Sequence, residues 1–242
     1  MVDQIPFIPS PNYSKRPTGV QPGGVVLHTT AGGSYTSTIG WFANTIQAPA
    51  SLGSGFVVRN GKKYYASQAS AHYVVGRKGE VAQMVDEADA AWHAGSRETV
   101  PAMNGKSNLN AWTIGIEVCN WGPLYLHTDG KFYTELAAWT NPYYGPTPVE
   151  KPTWYQAVVQ TPRSFTHKNG TAVFPNGVVT YWEPITPEQF QATCELIKGI
   201  KARHPQITND WIQGHEKVDP SRKLDPGPLW DWATMFNFVG QP

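Results

Sequence analysis

Apolar residues in this 242-residue chain fall into short runs punctuated by Gly, Pro and Asn, with one longer stretch of helical spacing towards the C-terminal end. Gly24-Val25-Val26-Leu27-His28 is a continuous apolar run of the kind that forms a buried strand, and it stops at the small-residue turn Thr29-Thr30-Ala31-Gly32-Gly33. Over 112–119, Ile114, Ile116 and Val118 alternate and so share the face that packs into a core, while Glu117 points the other way with Gly115 beside it. Hairpins are predicted over 56–66 about Asn60-Gly61, over 72–85 turning at Arg77-Lys78-Gly79, and about Asn176-Gly177.

Helical spacing of Ile39, Phe42 and Ala43 predicts a helix over 36–47. A longer helix opens at Thr186, whose hydroxyl caps it, with Pro187 in the first turn and Gln189 completing a capping box. Phe190, Cys194, Ile197 and Ile200 form its apolar stripe, Lys198, Lys201, Arg203 and His204 favour its negative pole, and Pro205 stops it. A last short helix carries Leu229, Trp230, Trp232, Ala233 and Phe236. Together these elements predict an α/β fold: a single domain over 1–242 with a central mixed β-sheet flanked by helices. Between the 112–119 strand and the Thr186 helix lies a long aromatic-rich segment; the family resemblance described below covers about 20–120 and 183–235, which makes 121–182 an insertion.

The insertion holds Trp139 and Trp154 and the tyrosines Tyr125, Tyr133, Tyr143, Tyr144, Tyr155 and Tyr181 among many prolines. Two readings stand equal: an aromatic wall stacking on sugar rings, or a self-packed loop covering the sheet. Trp121 and Trp182, at its borders, are expected in core roles.

Charge narrows the partners. The net charge is +1 with no block of like charges, so neither nucleic acid nor an acidic partner is indicated. Only 15% of residues are charged, against roughly 25% in typical domains, and a weakly charged surface with ten tryptophans suits carbohydrate. No apolar stretch reaches membrane-spanning length, and Met1-Val2-Asp3-Gln4-Ile5-Pro6 lacks the basic-then-apolar pattern of a secretory leader. Cys119 and Cys194 have no metal or redox spacing and are expected as reduced packing residues.

Chemistry concentrates between Gly214 and Pro228. His215 and Asp225 offer an imidazole and a carboxylate, both good Zn²⁺ ligands, and Lys223 lies where its ammonium can hold a developing oxyanion. His215-Glu216 begins like the His-Glu-x-x-His helix of metalloproteases, but Asp219 stands where the second histidine belongs, and Gly214 and Pro220 argue against a helix. His28, ending a buried strand, is a candidate third ligand or a hydrogen-bonded core residue. Glu117 is either functional or an ordinary half-exposed strand position.

These pieces resemble the type 2 N-acetylmuramoyl-L-alanine amidases, the zinc family whose fold is shared with peptidoglycan recognition proteins. The matching segments, in the family's order, are Val26-Leu27-His28-Thr29-Thr30-Ala31-Gly32, Ser70-Ala71-His72-Tyr73, Ala91-Trp92-His93-Ala94-Gly95, Ile114-Gly115-Ile116-Glu117 and the loop from His215 to Pro228. The resemblance implies a Zn²⁺ cofactor at one edge of the cleft, held by His28, His215 and Asp225, with Glu117 as catalytic carboxylate and Lys223 as oxyanion stabiliser. It also places His72, Trp92 and His93 near the cleft as candidate substrate contacts, with structural hydrogen bonding the alternative for His72. His127, His167 and His204 are expected at the surface.

The implied reaction is hydrolysis of the amide between N-acetylmuramic acid and L-alanine in peptidoglycan or a muropeptide. Some relatives carry cysteine in place of Asp225 or tyrosine in place of Glu117; the Asp and Glu pair resembles bacterial recycling amidases and several phage lysins. The aromatic insert favours a wall-degrading lysin; a monomer is expected, cytoplasmic at synthesis because no secretory leader is seen, and acting on the wall after release. The alternatives are a cytoplasmic recycling amidase acting on anhydro-muropeptides, and a non-catalytic peptidoglycan-binding protein.

Overall fold

The computed structural model describes residues 5–43, 56–59, 62–65, 69–95, 99–126, 132–134, 156–159, 163–167, 170–174 and 179–240. In chain order the strands are β1 (Tyr13–Lys15), β2 (Gly24–Thr29), β3 (Phe56–Arg59), β4 (Lys62–Tyr65), β5 (Tyr73–Val75), β6 (Val81–Gln83), β7 (Asp89–Ala91), β8 (Thr113–Val118), β9 (Pro123–Leu126), β10 (Phe132–Thr134), β11 (Gln156–Val159), β12 (Arg163–His167), β13 (Gly170–Phe174), β14 (Val179–Trp182) and β15 (Ile212–Gly214). The α-helices are α1 (Tyr35–Phe42), α2 (Pro187–Arg203), α3 (His215–Val218) and α4 (Trp232–Val239).

The central sheet is mixed, in the order β15-β2-β8-β5-β6. β15, β2, β8 and β5 run parallel, and β6 returns antiparallel to β5 across the expected hairpin. Val25, Leu27, Ile114, Ile116 and Val118 line one face and pack with Cys194, Ile197 and Ile200 of α2 and Met235 of α4. The opposite face carries Val26 against Ala94, Met103 and Leu109, and Val74 against Phe42 and Met84. Register pairs Val26 with Gly115 and His28 with Glu117, so the polar residues near the ends of β2 and β8 lie side by side on this second face. Both cysteines are buried and unpaired.

α2 begins at the expected cap, with Thr186 Oγ1 accepting the Gln189 backbone N–H at 3.1 Å and Pro187 in the first turn, but the capping box does not close, because the Gln189 side chain turns inward and donates to the Cys119 carbonyl at 2.9 Å. α1 is capped by Ser34, whose side chain accepts from the Ser37 N–H at 3.2 Å, and it ends with Ala43 as its C-cap; positions 44–47 of the predicted helix lie outside the described residues. β3 and β4 pair as the hairpin expected about Asn60-Gly61.

Four further expectations need correction. The strands flanking Asn176-Gly177 do not pair with each other: β13 pairs with β12, while β14 lies between β9 and β11 and so gains partners on both edges. The last helix starts at Trp232, one residue after its cap Asp231, leaving Leu229 and Trp230 outside it. A single helical turn, α3, forms where none was expected, because Gly214 only caps it and Pro220 lies beyond the C-cap Asp219. Trp182 is buried as expected, but Trp121 is 39% exposed. Trp139 and Trp154 lie outside the described residues.

Candidate active site

Parallel strands present their C-terminal ends at one edge of a sheet, and ligands gather there. His28 is the penultimate residue of β2, Glu117 the penultimate residue of β8, and His215 follows β15 directly. The 219–228 turn folds back so that Glu216 N–H donates to the Asp225 carbonyl at 2.8 Å. This brings Asp225 beside the two histidines.

His28 Nδ1 and His215 Nδ1 stand 2.8 Å apart, and Asp225 Oδ2 lies 3.3 Å from the first and 3.2 Å from the second. Three ligand atoms on bonds of about 2.0–2.2 Å at tetrahedral angles would be about 3.3–3.5 Å apart. The carboxylate distances match that spacing, and the two nitrogens need open by only a few tenths of an ångström. Two neutral imidazoles and one carboxylate are a donor set for a borderline-soft dication, and these residues fit Zn²⁺.

Burial makes the cluster expensive without a cation. Both histidines are almost wholly enclosed. Burial chiefly, then repulsion from His215, lowers His28 to about 4 despite Asp225. Burial alone would raise the Asp225 carboxyl, but the His215 and His28 imidazoles hold it well below its ordinary range.

Glu117 flanks this cluster. Its Oε2 is enclosed with no hydrogen-bond partner among the described residues, and burial first, then the Asp225 carboxylate, pushes its carboxyl up to about 8, opposed by Lys223. Lys223 is half-buried on the 219–228 turn, and its charge is felt at both Glu117 and His28. The five residues singled out by the sequence thus converge on one edge of the sheet.

The three remaining candidates are placed differently. His72 has no exposed surface: its Nδ1 accepts the Gly115 backbone N–H at 2.9 Å and its Nε2 donates to the Asp89 carbonyl at 3.1 Å, so it ties β8 to the β7 segment rather than reaching a ligand. Burial, then the Arg16 guanidinium, lowers it to about 3, so it stays neutral. His93 turns its ring towards the His28–His215–Asp225 cluster, with Nδ1 3.0 Å from His28 Nε2 and Nε2 3.2 Å from Thr113 Oγ1. Trp92 is partly exposed, its indole N–H donating to Ser14 Oγ at 3.4 Å. His204, expected at the surface, is instead drawn against Glu87 at 2.8 Å, where Arg203 and Tyr73 also meet that carboxylate.

Two supports of the site were missed. Gly227, at φ +90°, lies so close to the Trp182 ring that an added Cβ would sit 2.3 Å from it, so the insert's last strand braces the turn two residues past Asp225. Gly115 allows an equally close approach: a Cβ there would fall 2.4 Å from His93 Cγ. A glycine inside an otherwise apolar strand was the available signal for that contact.

Comparison with known proteins agrees with the geometry. The sequence profile of the family described as N-acetylmuramoyl-L-alanine amidase matches residues 18–228. The 1,6-anhydro-N-acetylmuramyl-L-alanine amidase AmpD of Citrobacter freundii is 27% identical over 236 residues, covering 93% of this chain and 85% of its own length. The N-acetylmuramoyl-L-alanine amidase AmiD of Escherichia coli is 28% identical over 175 residues, covering 69% of this chain and 44% of AmiD. Among solved structures, a selenomethionine derivative of AmpD superposes with a TM-score of 0.58 at 22% identity, covering 99% of this chain and 97% of the other. AmiD, solved with anhydro-N-acetylmuramic acid-L-Ala-D-γ-Glu-L-Lys, superposes with a TM-score of 0.52 at 23% identity, covering 93% and 60%. With the profile spanning nearly the whole chain, this protein belongs to the N-acetylmuramoyl-L-alanine amidase family and is an amidase acting on muramoyl-L-alanine bonds.

Proposed function

We propose that the chain is a zinc-dependent amidase that takes soluble anhydro-muropeptides. The observation carrying the zinc reading is the convergence of His28 Nδ1, His215 Nδ1 and Asp225 Oδ2 at near-tetrahedral spacing beside Glu117, whose Oε2 is enclosed without a partner among the described residues. Zn²⁺ held there would supply Lewis acidity towards the scissile carbonyl and lower the pKa of the attacking water to about 7.

The chain's own residues account for the proton and charge movements. Glu117 accepts the proton of the attacking water and returns it to the departing L-alanine amine, a role suited to a carboxyl raised towards neutrality by its surroundings. Lys223 offers its ammonium to the oxyanion that forms from the lactyl carbonyl. No covalent intermediate with the protein is needed. Glu117 must be ionised to act as the base, and the neighbouring Lys223 ammonium favours that form.

Substrate size is argued from the relatives. The AmpD proteins matched along nearly all of this chain are named for 1,6-anhydro-N-acetylmuramyl-L-alanine, and their coverage of both partners favours the recycling branch over a wall-degrading lysin. The lysin reading rests on the aromatic insert, most of which lies outside the described residues. No helix among the described residues is long and apolar enough to cross a membrane.

The test is digestion of a soluble anhydro-muropeptide beside purified peptidoglycan, with products identified by mass. Release of the stem peptide chiefly from the soluble substrate supports the proposal. Preferential cleavage of the polymer would return the protein to the lysin branch, and activity that survives chelation would overturn the zinc assignment.

A further inference from the structure

His93 is poised to set the protonation pattern of His28. Thr113 Oγ1 lies 2.6 Å from the Leu109 carbonyl oxygen and 3.2 Å from His93 Nε2. A hydroxyl has one proton, and a carbonyl oxygen cannot donate; at 2.6 Å the proton must point at Leu109. Thr113 is therefore an acceptor towards His93, which requires a proton on His93 Nε2. In a neutral imidazole this leaves Nδ1 as a bare acceptor. Across 3.0 Å that acceptor faces His28 Nε2, which must then carry a proton and leave His28 Nδ1 with a free lone pair.

We infer that the Leu109 carbonyl, Thr113 and His93 form a positioning chain that fixes His28 as the Nε2–H tautomer, presenting Nδ1 to the metal. The inference rests on the zinc reading above and moves His93 from substrate contact to support of a ligand. The surroundings hold His93 in place for this task. Asn110 Oδ1 accepts the backbone N–H groups of His93 at 3.1 Å and Ala94 at 2.7 Å, and the ring lies over Gly115, where no larger residue fits. Thr113 is fully buried, so water does not compete for its hydroxyl. His215 has no such support, since its Nε2 is without a partner among the described residues. Partners that orient a metal-bound histidine typically contribute 10–100-fold in metal affinity.

The test measures zinc affinity by competition with a chelating dye for the wild type, His93→Asn, His93→Gln and Thr113→Val, with melting of each metal-free protein as the folding control. Asn places its amide oxygen near the position of His93 Nδ1 and keeps an acceptor for His28; Gln places its polar atoms further out and does not. We expect His93→Asn to bind zinc nearly as the wild type does, and His93→Gln and Thr113→Val to bind about 10–100-fold more weakly. Nitrogen-15 spectra of histidine-labelled wild type should show His93 and His28 both protonated at Nε2. Wild-type affinity in Thr113→Val, equal loss in Asn and Gln, or a His93 protonated at Nδ1 would each overturn the inference. If the wild type binds no zinc, the functional proposal fails instead, and the tautomers read in the metal-free protein still decide this one.

Discussion

Replacing Glu117 by Gln should stabilise the metal-free protein while removing most of its turnover. Burial, then Asp225, raises the Glu117 carboxyl from an ordinary 4.5 to about 8, with Lys223 pulling the other way. A carboxyl raised in the folded state opposes folding between those two values. Below its unfolded pKa it is protonated in both states and costs nothing; as the pH rises, only the unfolded chain ionises freely. Each pH unit in that window costs about 1.4 kcal/mol, giving about 3 kcal/mol at pH 7 and less than about 1 kcal/mol at pH 5. The first figure is an upper one, because relaxation and entering water soften the penalty. Gln keeps the shape and cannot ionise, and like the protonated acid it leaves an unpaired polar atom, so that cost cancels. Urea unfolding with chelator present, at both pH values, measures the difference, and groups common to both proteins drop out of it. Equal stability at pH 7, or a gap of the same size at pH 5, would refute the argument. Turnover of the zinc-loaded variant should fall by about 10²–10⁴ because proton transfer is lost while the metal ligands remain.

Lys223→Ala should lower turnover by about 10²–10³ with zinc content unchanged, as seen in steady-state rates alongside metal analysis. Glu87→Gln should remove acid-sensitive stability: burial would raise Glu87, but Arg203, Tyr73 and His204 hold it at about 2. A depressed carboxylate stabilises above its unfolded pKa and loses that contribution as pH falls towards about 2, so melting curves of the two proteins should lie apart at pH 7, by about 2–3 kcal/mol, and approach each other below pH 3. Gly227→Ala should weaken zinc binding and lower the melting temperature, since φ +90° disfavours alanine and its methyl would meet Trp182; unchanged affinity by dye competition would show that Trp182 does not brace the Asp225 turn.

Residues whose placement follows from local pattern were legible in the sequence. His28 and Glu117 each end an apolar strand, and parallel pairing then puts them side by side at the same edge. Asp225 was legible only through its spacing from His215 and the resemblance, because a proline-rich turn has no periodicity to read. Where the sequence misled, a distant partner decided the outcome. His204 closes a helix that ought to leave it in water, but Glu87, more than a hundred residues earlier, provides a buried carboxylate within 2.8 Å. The Asn176-Gly177 signal specifies a tight turn, yet β14 satisfies the hydrogen-bonding groups of both its edges only by lying between β9 and β11.

Gly115 shows how far such reading can be taken. In the sequence it is a small residue next to Glu117 in a strand that otherwise wants bulk, which signals close approach without saying by what. The approaching group is the His93 ring, and the two faces of β8 then divide the work. Ile114, Ile116 and Val118 fill the core beneath α2, while Thr113, Gly115 and Glu117 on the other face contact His93, make room for it, and place the carboxyl beside the His28–His215–Asp225 cluster. A single strand with period-two alternation thus carries the packing on its even-numbered residues and the chemistry on its odd-numbered ones. Shifting its register by one residue would bury Glu117 beneath α2 and turn Ile116 towards His28, which is why the apolar face of β8 fixes the candidate site as firmly as the polar residues that compose it.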